Sequence, residues 1–499
     1  TSYEYDNFVY GSDSVWNDRQ VEPSSEIINL FDYRARYSTY RLDSNLRRVH
    51  QQHPLIAVWD DHESANDSYT DGAENHTAAT EGDWQDRKAQ AKQAYFEWMP
   101  IRDNVNQQVY RSLSYGNLAD LIMLDTRLEG RQEQINSIAD PALQDTNRTL
   151  LGADQKQWFF DRLNNSSARW KIVGQQVIFS EFNVGWAGSA VGQSFEATES
   201  LFLDIWDGYP AERQEVINYL QDNQINNVVL LTGDFHSSFA FDVAQPPVNL
   251  QFQNIPGVGP LPFYLPSPNY DPTTGAGSVA VEFATPSVTS ANFDENAGAQ
   301  VAAGLQLQIN NPILVGGALN LGNPNPHLKY NDLSQHGFFI LDVKSDSSQA
   351  DYFFTPILQP TAQASFGAGL YTRAGENHLN RAAGAAPPKT AQDVAAPRTP
   401  PVFISSVRRN VGLRDVRVLA NYPNPSSGLS HLNYAVNQNS RVNIQLVNAQ
   451  GQVLRQLQDA QVAAGLYTLE TDVRELPKGL YYYRLTTAQG STLQPLLVQ

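Results

Sequence analysis

Ionisable side chains directly follow two apolar runs of this sequence. WDDHESAND (residues 59–67) comes after LIAVW (55–59), and LTGDFHSS (231–238) ends a run of aliphatic residues. Carboxylates are hard oxygen ligands for di- or trivalent cations, and a neighbouring imidazole can ligate a metal or act as a general acid. In sheets covered by helices, functional sites form at the carboxyl ends of the strands. The two motifs therefore predict metal-assisted chemistry at two strand ends.

Each motif also has a simpler interpretation. The acidic run 60–63 can be a solvated turn that caps a helix, and Asp60 points away from Asp61 if the segment is extended. Asp234 and His236, two positions apart on an extended segment, point to one side and can present both groups to one metal. A Gly-Asp turn is nevertheless common, and His236 can be an ordinary loop histidine. Together the motifs are more specific, because they supply complementary ligands; Asp60 and Asn66 are further possible ligands.

Charge and composition exclude several classes of protein. The chain has 499 residues and a formal net charge of −18, which argues against stable binding to nucleic acid. It contains no cysteine, so a metal must bind through oxygen and nitrogen. No run of about 18 or more apolar residues occurs, so no transmembrane segment is predicted. The first residues lack the basic region and apolar core of an intact signal peptide.

Strands alternating with helices must position these motifs. Residues 83–98 predict a helix, because they are rich in Ala, Gln and Lys and carry aromatic residues at helical spacing. Continuous apolar strands interleaved with helices indicate an α/β fold with a sheet covered on both faces. The predicted strands are 55–59, 119–125, 170–179, 227–234, 278–283 and 337–343.

A change of composition divides the chain. Residues 381–401 are rich in Ala and Pro and predict a linker. Residues 402–499 contain about seven short alternating strands separated by turns, which is typical of an antiparallel β-sandwich. We therefore expect a catalytic domain over 1–380, the linker, and a second domain over 402–499.

The two motifs resemble those of PhoD-type alkaline phosphatases, which belong to the metallophosphoesterase superfamily and are related to purple acid phosphatases. The resemblance extends over residues 1 to about 380 in the family's order. It implies a metallophosphoesterase-type β-sandwich flanked by helices, and metal-dependent hydrolysis of phosphomonoesters and phosphodiesters. Further matching segments are 31–63, 121–127, 158–177, 206–213, 281–287 and 336–339.

The resemblance also implies an iron and calcium site. Tyr3, in SYEY, matches the tyrosine ligand of the ferric ion. The bridging aspartate and a cysteine ligand of the family are then expected before Thr1. Asp61 matches the ligand of the second metal, and Asp234 and His236 match the distal pair of ligands.

The remaining roles concern the phosphoryl group. His62 matches the histidine that stabilises the phosphoryl transition state. Arg127 and His336 are candidates for binding phosphate, although an arginine after Asp125 can equally form a structural ion pair. Three further residues are expected to shape the wall of the site: Trp206, Asp207 and Tyr209.

Residues 402–499 resemble the C-terminal sorting domain of type IX secretion, found in Bacteroidetes, through LANYPNP (419–425) and the aromatic and Gly-rich ending. This implies the type IX machinery as a partner and a secreted or surface-attached protein outside the outer membrane. A carbohydrate-binding or adhesive sandwich is the alternative. For the catalytic domain, the alternatives are a specialised phosphodiesterase and an inactive surface or structural protein that retains the phosphatase fold.

Overall fold

A computed structural model describes residues 21–102, 107–188, 192–257, 259–310, 320–357, 361–388, 415–448 and 451–499. The chain divides into two compact units, Thr1–Ala396 and Pro397–Gln499. Among the described residues, no helix is both long enough and apolar enough to cross a membrane.

The first unit contains two principal sheets and a hairpin. Its strands are β1 (Arg111–Tyr115), β2 (Ala119–Met123), β3 (Trp170–Gly174), β4 (Val228–Thr232), β5 (Ser238–Ala244), β6 (Val248–Ile255), β7 (Gly259–Pro266), β8 (Ser278–Ala284), β9 (Leu328–Asp332), β10 (Gly337–Val343), β11 (Ser347–Phe354), β12 (Ser365–Arg373) and β13 (Asn380–Arg381). In the described residues the larger sheet has the order β1-β2-β3-β4-β8-β5-β9, the second sheet has the order β10-β11-β12-β13, and β6 pairs with β7. Strands β2, β3, β4 and β8 are parallel neighbours, whereas β1, β5 and β9 are antiparallel to theirs.

Helices lie between the strands along the chain. They are α1 (Leu30–Tyr40), α2 (Ser44–Gln52), α3 (Ala78–Glu81), α4 (Trp84–Trp98), α5 (Ala153–Asn165), α6 (Phe195–Glu199), α7 (Pro210–Asp222), α8 (Phe293–Ala297) and α9 (Ala299–Gln308). The predicted helix over 83–98 is confirmed as α4. It begins where the Asp83 carboxylate accepts hydrogen bonds from the backbone N–H groups of Gln85 and Asp86, the usual arrangement of a helix N-cap.

Both faces of the larger sheet are buried. On one face, Val173 and Leu230 belong to an apolar cluster that includes Phe160 of α5 and Ile217 of α7. On the other face, residues of β3 and β8 share a cluster with β11 and β12 of the second sheet. Burial on both faces explains why these strands are continuous apolar runs in the sequence. The predicted α/β class and its large sheet are confirmed, as are five predicted strands, which correspond to β2, β3, β4, β8 and β10. The strand predicted over 170–179 is shorter than expected, because β3 ends at Gly174.

The predicted strand over 55–59 is wrong. Residues 54–60 form no strand, although 55–59 are apolar and the Trp59 side chain is buried. Side chains bind their backbone carbonyl groups instead: Gln176 Nε2 donates to Trp59 O (2.7 Å) and Arg111 Nη2 to Ala57 O (2.8 Å). The apolar side chains pack on helices, with the Trp59 ring 5.3 Å from that of Tyr95 in α4. A buried backbone needs hydrogen-bond partners, and side chains provide them here in place of a neighbouring strand.

In its described residues, 415–448 and 451–499, the second unit is all β. Its strands are β14 (Val416–Tyr422), β15 (Leu429–Val436), β16 (Ser440–Asn448), β17 (Val453–Val462), β18 (Gly465–Asp472), β19 (Gly479–Thr487) and β20 (Gly490–Val498). Within the described part of this unit they form two antiparallel sheets, β14-β15-β18 and β17-β16-β19-β20. Leu432 of one sheet and Ile444 and Leu485 of the other share one buried apolar cluster. The predicted set of short antiparallel strands is confirmed.

The start of the predicted linker is attached to the second sheet of the first unit. Arg381 pairs with Leu370, Ala382 N donates to Gly369 O (2.8 Å), and Ala386 N donates to Asp351 Oδ2 (2.7 Å). The rest of the predicted linker, 389–401, lies outside the described residues.

Candidate active site

The two sequence motifs meet in one acidic cluster. Carboxylate oxygens of Asp60, Asp61 and Asp234 all lie within 4.8 Å of one another. Asp234 follows the end of β4, and Asp61 begins a 3₁₀ turn, Asp61–Glu63. Carboxylates this close repel one another unless a cation lies among them, and oxygen donors are the ligands that hard cations prefer.

The turn that begins at Asp61 fixes its carboxylate. Asp61 Oδ1 accepts a hydrogen bond from the backbone N–H of His62, and Oδ2 accepts one from Asp67, each at 2.8 Å. Asp60 N donates to Glu63 Oε2 at 2.6 Å, which closes the turn. Because the chain turns here, the segment is not extended, and the condition under which Asp60 would point away from Asp61 is not met. Asp60 joins the cluster.

The turn after β4 is also not extended. Asp234 and His236 both have φ of 62°, and Phe235 N donates to Gly233 O at 2.7 Å. A left-handed backbone is unfavourable for non-glycine residues, and such strain is concentrated at functional sites. The geometry predicted for the pair, two positions apart on an extended strand, is therefore wrong. Both side chains nevertheless line the same cleft.

The ring of His236 is held by a backbone carbonyl. Its Nδ1 lies 2.7 Å from Ala291 O. Burial lowers the pKa of His236, so the ring is neutral near pH 7. A carbonyl only accepts, so the proton is on Nδ1 and the lone pair is on Nε2. Metal-binding histidines usually donate one ring N–H to a carbonyl or carboxylate in this way.

Arg127 lies among the carboxylates and is completely buried. Its Nε is 2.7 Å from Asp60 Oδ1 and its Nη2 is 2.8 Å from Asp234 Oδ1. The same Nη2 lies 3.7 Å from Asp204 Oδ2 and 3.9 Å from Asp61 Oδ2. Arg127 thus forms ion pairs with both motifs, and one guanidinium faces four carboxylates.

This imbalance appears in the pKa values. Burial and the neighbouring Asp60 raise the pKa of Asp234 well above its ordinary range, although Arg127 lowers it. For Asp61, burial also acts to raise the pKa, but Arg127 is the largest of several opposing contributions, and together they bring it well below its ordinary range. With four carboxylates around one guanidinium, this region has excess negative charge. Its donors, carboxylate oxygens with one imidazole nitrogen, fit a hard di- or trivalent cation.

The other predicted residues differ in their surroundings. His62 is half-buried and close enough to His236 to contribute to lowering its pKa. His336 is buried, with Nδ1 3.0 Å from Ser287 Oγ and Nε2 3.1 Å from Glu295 Oε2. A phosphate contact by His336 requires one of these interactions to open. Tyr3 lies outside the described residues.

The predicted wall residues lie largely in the interior. Trp206 is buried and donates from Nε1 to Gln175 Oε1 at 2.9 Å. Tyr209 is buried as well, and Asp207 pairs with Arg213.

Other residues line the cleft beside the cluster, which has a volume of ≈ 330 Å³. Phe202, Asp204 and Phe293 come from segments that carry no recognisable motif, so sequence reasoning missed them. Phe235 lies between Asp234 and His236 in the second motif. Of the aromatic residues in this cleft, it is the one whose position could have been predicted from the sequence.

Comparisons with known proteins agree with this site. The model of the PhoD-like phosphatase family matches residues 1–352, and that of the Secretion system C-terminal sorting domain matches residues 420–499. Alkaline phosphatase D of Bacillus subtilis (strain 168) is 39% identical over 247 residues, which cover 48% of this chain and 40% of that protein. A solved structure described as "Structure of PhoD" has a TM-score of 0.57 and 29% identity, and the match covers 77% of this chain and 65% of the other. The chain thus spans less than two thirds of the length of both relatives. The resemblance predicted from the motifs is confirmed: the chain belongs to the PhoD-like phosphatase family and carries a C-terminal type IX secretion sorting domain.

Proposed function

We propose that this protein is a metal-dependent phosphatase that hydrolyses phosphomonoesters and phosphodiesters and acts outside the outer membrane, free or attached to the cell surface. The convergence of Asp60, Asp61 and Asp234 beside His236 carries the proposal, because it joins oxygen and nitrogen donors from two distant motifs. Family membership supports a phosphate ester as the substrate.

Iron and calcium are the proposed metals. Asp61, Asp234 and His236 would hold them, with Tyr3 as a further ligand of iron, and the position of Asp60 makes it an additional candidate. Bound cations polarise phosphoryl oxygens and neutralise the charge that develops on them.

The chain's own residues have three proposed roles. His62, beside Asp61, stabilises charge on the phosphoryl group or protonates the leaving oxygen. Arg127 holds the carboxylates in place, and it is the first candidate for binding phosphate, because its Nη1 has no hydrogen-bond partner among the described residues. Since that atom is buried, its contact with a phosphoryl oxygen requires the site to open. His336 is the second candidate for binding phosphate, subject to opening one of its two interactions.

The test of catalysis uses the full chain with 4-nitrophenyl phosphate as monoester and bis(4-nitrophenyl) phosphate as diester. Chelation should abolish both activities. Asp61→Asn should lower kcat/KM by about 100-fold or more, because it removes a charged ligand. Asp154→Asn, which alters an exposed aspartate of α5, is the matched control and should leave the rate unchanged. Equal rates in the two variants would contradict the proposed site.

A second pair of variants tests the histidine. His62→Ala should lower kcat by about 100-fold or more, whereas His53→Ala, at an exposed position, should not. Elemental analysis should find iron and calcium in the active protein, and a preparation that is fully active with zinc alone would overturn the assignment of the metals.

The export proposal concerns residues 397–499. A chain that ends at Ala396 should retain hydrolysis but remain in the periplasm of a host with type IX secretion. Release of this shortened protein into the medium at the rate of the full chain would contradict the sorting role.

A further inference from the structure

Three phenylalanine side chains form one wall of the cleft beside the carboxylates. Phe202 ends a 3₁₀ turn, Phe235 lies in the turn after β4, and Phe293 begins α8. All three rings are half-buried, so each retains surface toward solvent. Their centroids are 4.8 Å apart for Phe202 and Phe235, 5.7 Å for Phe235 and Phe293, and 6.0 Å for Phe202 and Phe293. These rings thus form a continuous apolar surface, which we call the phenylalanine wall.

The phenylalanine wall is supported from behind. The buried ring of Phe182 packs on both Phe235 (5.5 Å) and Phe202 (6.2 Å), and the buried ring of Phe239 packs on Phe235 (5.4 Å). Rings fixed by such edge-on contacts lose little freedom when a ligand binds, so this surface is pre-organised.

Hydrogen bonds tie the wall to the candidate metal site. His236 Nδ1 donates to Ala291 O at 2.7 Å, and Ser237 Oγ donates to Asn292 Oδ1. Asn292 in turn caps the helix that begins at Phe293. Phe235 lies directly between Asp234 and His236. The phenylalanine wall is therefore held at a fixed distance from Asp234 and His236 by short segments of chain and the hydrogen bonds between them.

We infer that the phenylalanine wall binds the alcohol part of the substrate, and that this alcohol carries a planar aromatic ring. A cleft with carboxylates and an imidazole at one end and three rings beside them fits a molecule that is charged at one end and apolar at the other. Its volume, ≈ 330 Å³, suits one ring with a phosphoryl group rather than a long acyl chain. Contacts between aromatic rings stabilise a complex by more than the burial of their surface area accounts for. This favours an alcohol with a ring over one with a small aliphatic group. This inference rests on the proposed phosphatase function.

Matched esters separate binding of the ring from chemical reactivity. 2-Phenylethyl phosphate and ethyl phosphate have alcohols of similar leaving ability and differ in the ring, and release of inorganic phosphate reports both reactions. The full chain should favour the phenylethyl ester by about tenfold or more in kcat/KM. In Phe202→Ala and Phe293→Ala this ratio should fall toward one, mainly through KM. Phe202→Leu keeps an apolar side chain but lacks the ring. It replaces the alanine variant in the same measurement if that variant does not fold.

Phe338→Ala is the matched control, because Phe338 is an exposed ring on β10. It should keep the ratio of the full chain. If the Phe202 and Phe293 variants keep it as well, or if the full chain shows no preference, the inference is overturned while the phosphatase function stands.

A binding measurement separates failure of the inference from failure of the proposed function. 2-Phenylethylphosphonate and ethylphosphonate are not hydrolysed, and their affinities can be measured by calorimetry on the same proteins. A preference for the ring that is lost in Phe202→Ala, without hydrolysis of either ester, would retain the phenylalanine wall and refute the phosphatase. No preference in binding and no hydrolysis would refute both.

Discussion

Replacing Arg127 with methionine tests whether the acidic cluster requires a cation. Arg127 is completely buried and forms close ion pairs with Asp60 (2.7 Å) and Asp234 (2.8 Å). Methionine fills similar space without charge. In the variant, the cluster's carboxylates lose their buried counter-charge.

The magnitude follows from the distances. At the 4.8 Å limit of the cluster, two carboxylates in an effective dielectric of about 20 repel by roughly 3 kcal/mol. Removing one partner of a buried ion pair typically costs about 3–5 kcal/mol. We therefore expect Arg127→Met to lower the free energy of unfolding by about 3–5 kcal/mol in the presence of chelator. Added calcium should restore much of that loss, because the cation takes over neutralisation of the carboxylates.

Urea unfolding followed by tryptophan fluorescence measures this effect. All eight tryptophans precede residue 397, so the signal reports the first unit alone. Arg213→Met is the matched control: it removes another largely buried arginine, which pairs with Asp207 and lies 3.7 Å from Glu181. Its loss of stability should be the same with chelator and with calcium. If calcium restores neither variant, or restores both equally, the cluster is not the cation site.

Three further predictions concern stability. Burial lowers the pKa of His327 from 6.5 to about 4, so the unfolded chain takes up a proton first as the pH falls. Stability should therefore drop by up to about 3 kcal/mol between pH 6.5 and 4, and urea titrations should show a smaller drop in His327→Gln. Burial raises the pKa of Glu199 from 4.5 to about 8, so stability should fall by up to about 5 kcal/mol as the pH rises from 4.5 to 8; a Glu199→Gln variant with the same pH dependence would refute this. Gly277→Ala should cost about 2 kcal/mol or more, because Gly277 has φ of +90° and a Cβ there would lie 1.8 Å from Asn269 O. Gly375→Ala, with the same φ and open space around it, should cost less in thermal unfolding.

Local pattern was sufficient for much of the fold. Strands such as β4 and β8 were predictable because burial on both faces requires an uninterrupted apolar run, and α4 because its composition and spacing favour a helix. The same reasoning failed for 55–59. An apolar run of this length is compatible with a strand or with packing on helices, and the choice depends on which partners the fold supplies.

The sequence by itself determined the chemistry: two segments with carboxylates and imidazoles, no thiol, and a separate C-terminal domain of short strands. Tertiary structure decided which groups meet. Arg127 reaches Asp60 and Asp234 across 67 and 107 residues of chain, and Phe202 and Phe293 reach the same cleft from segments without a motif. Residue types are local properties that can be read along the chain. Their convergence depends on the packing of whole sheets and helices and on strained turns such as the one at Asp234, whose left-handed backbone exists only because the surrounding fold holds it.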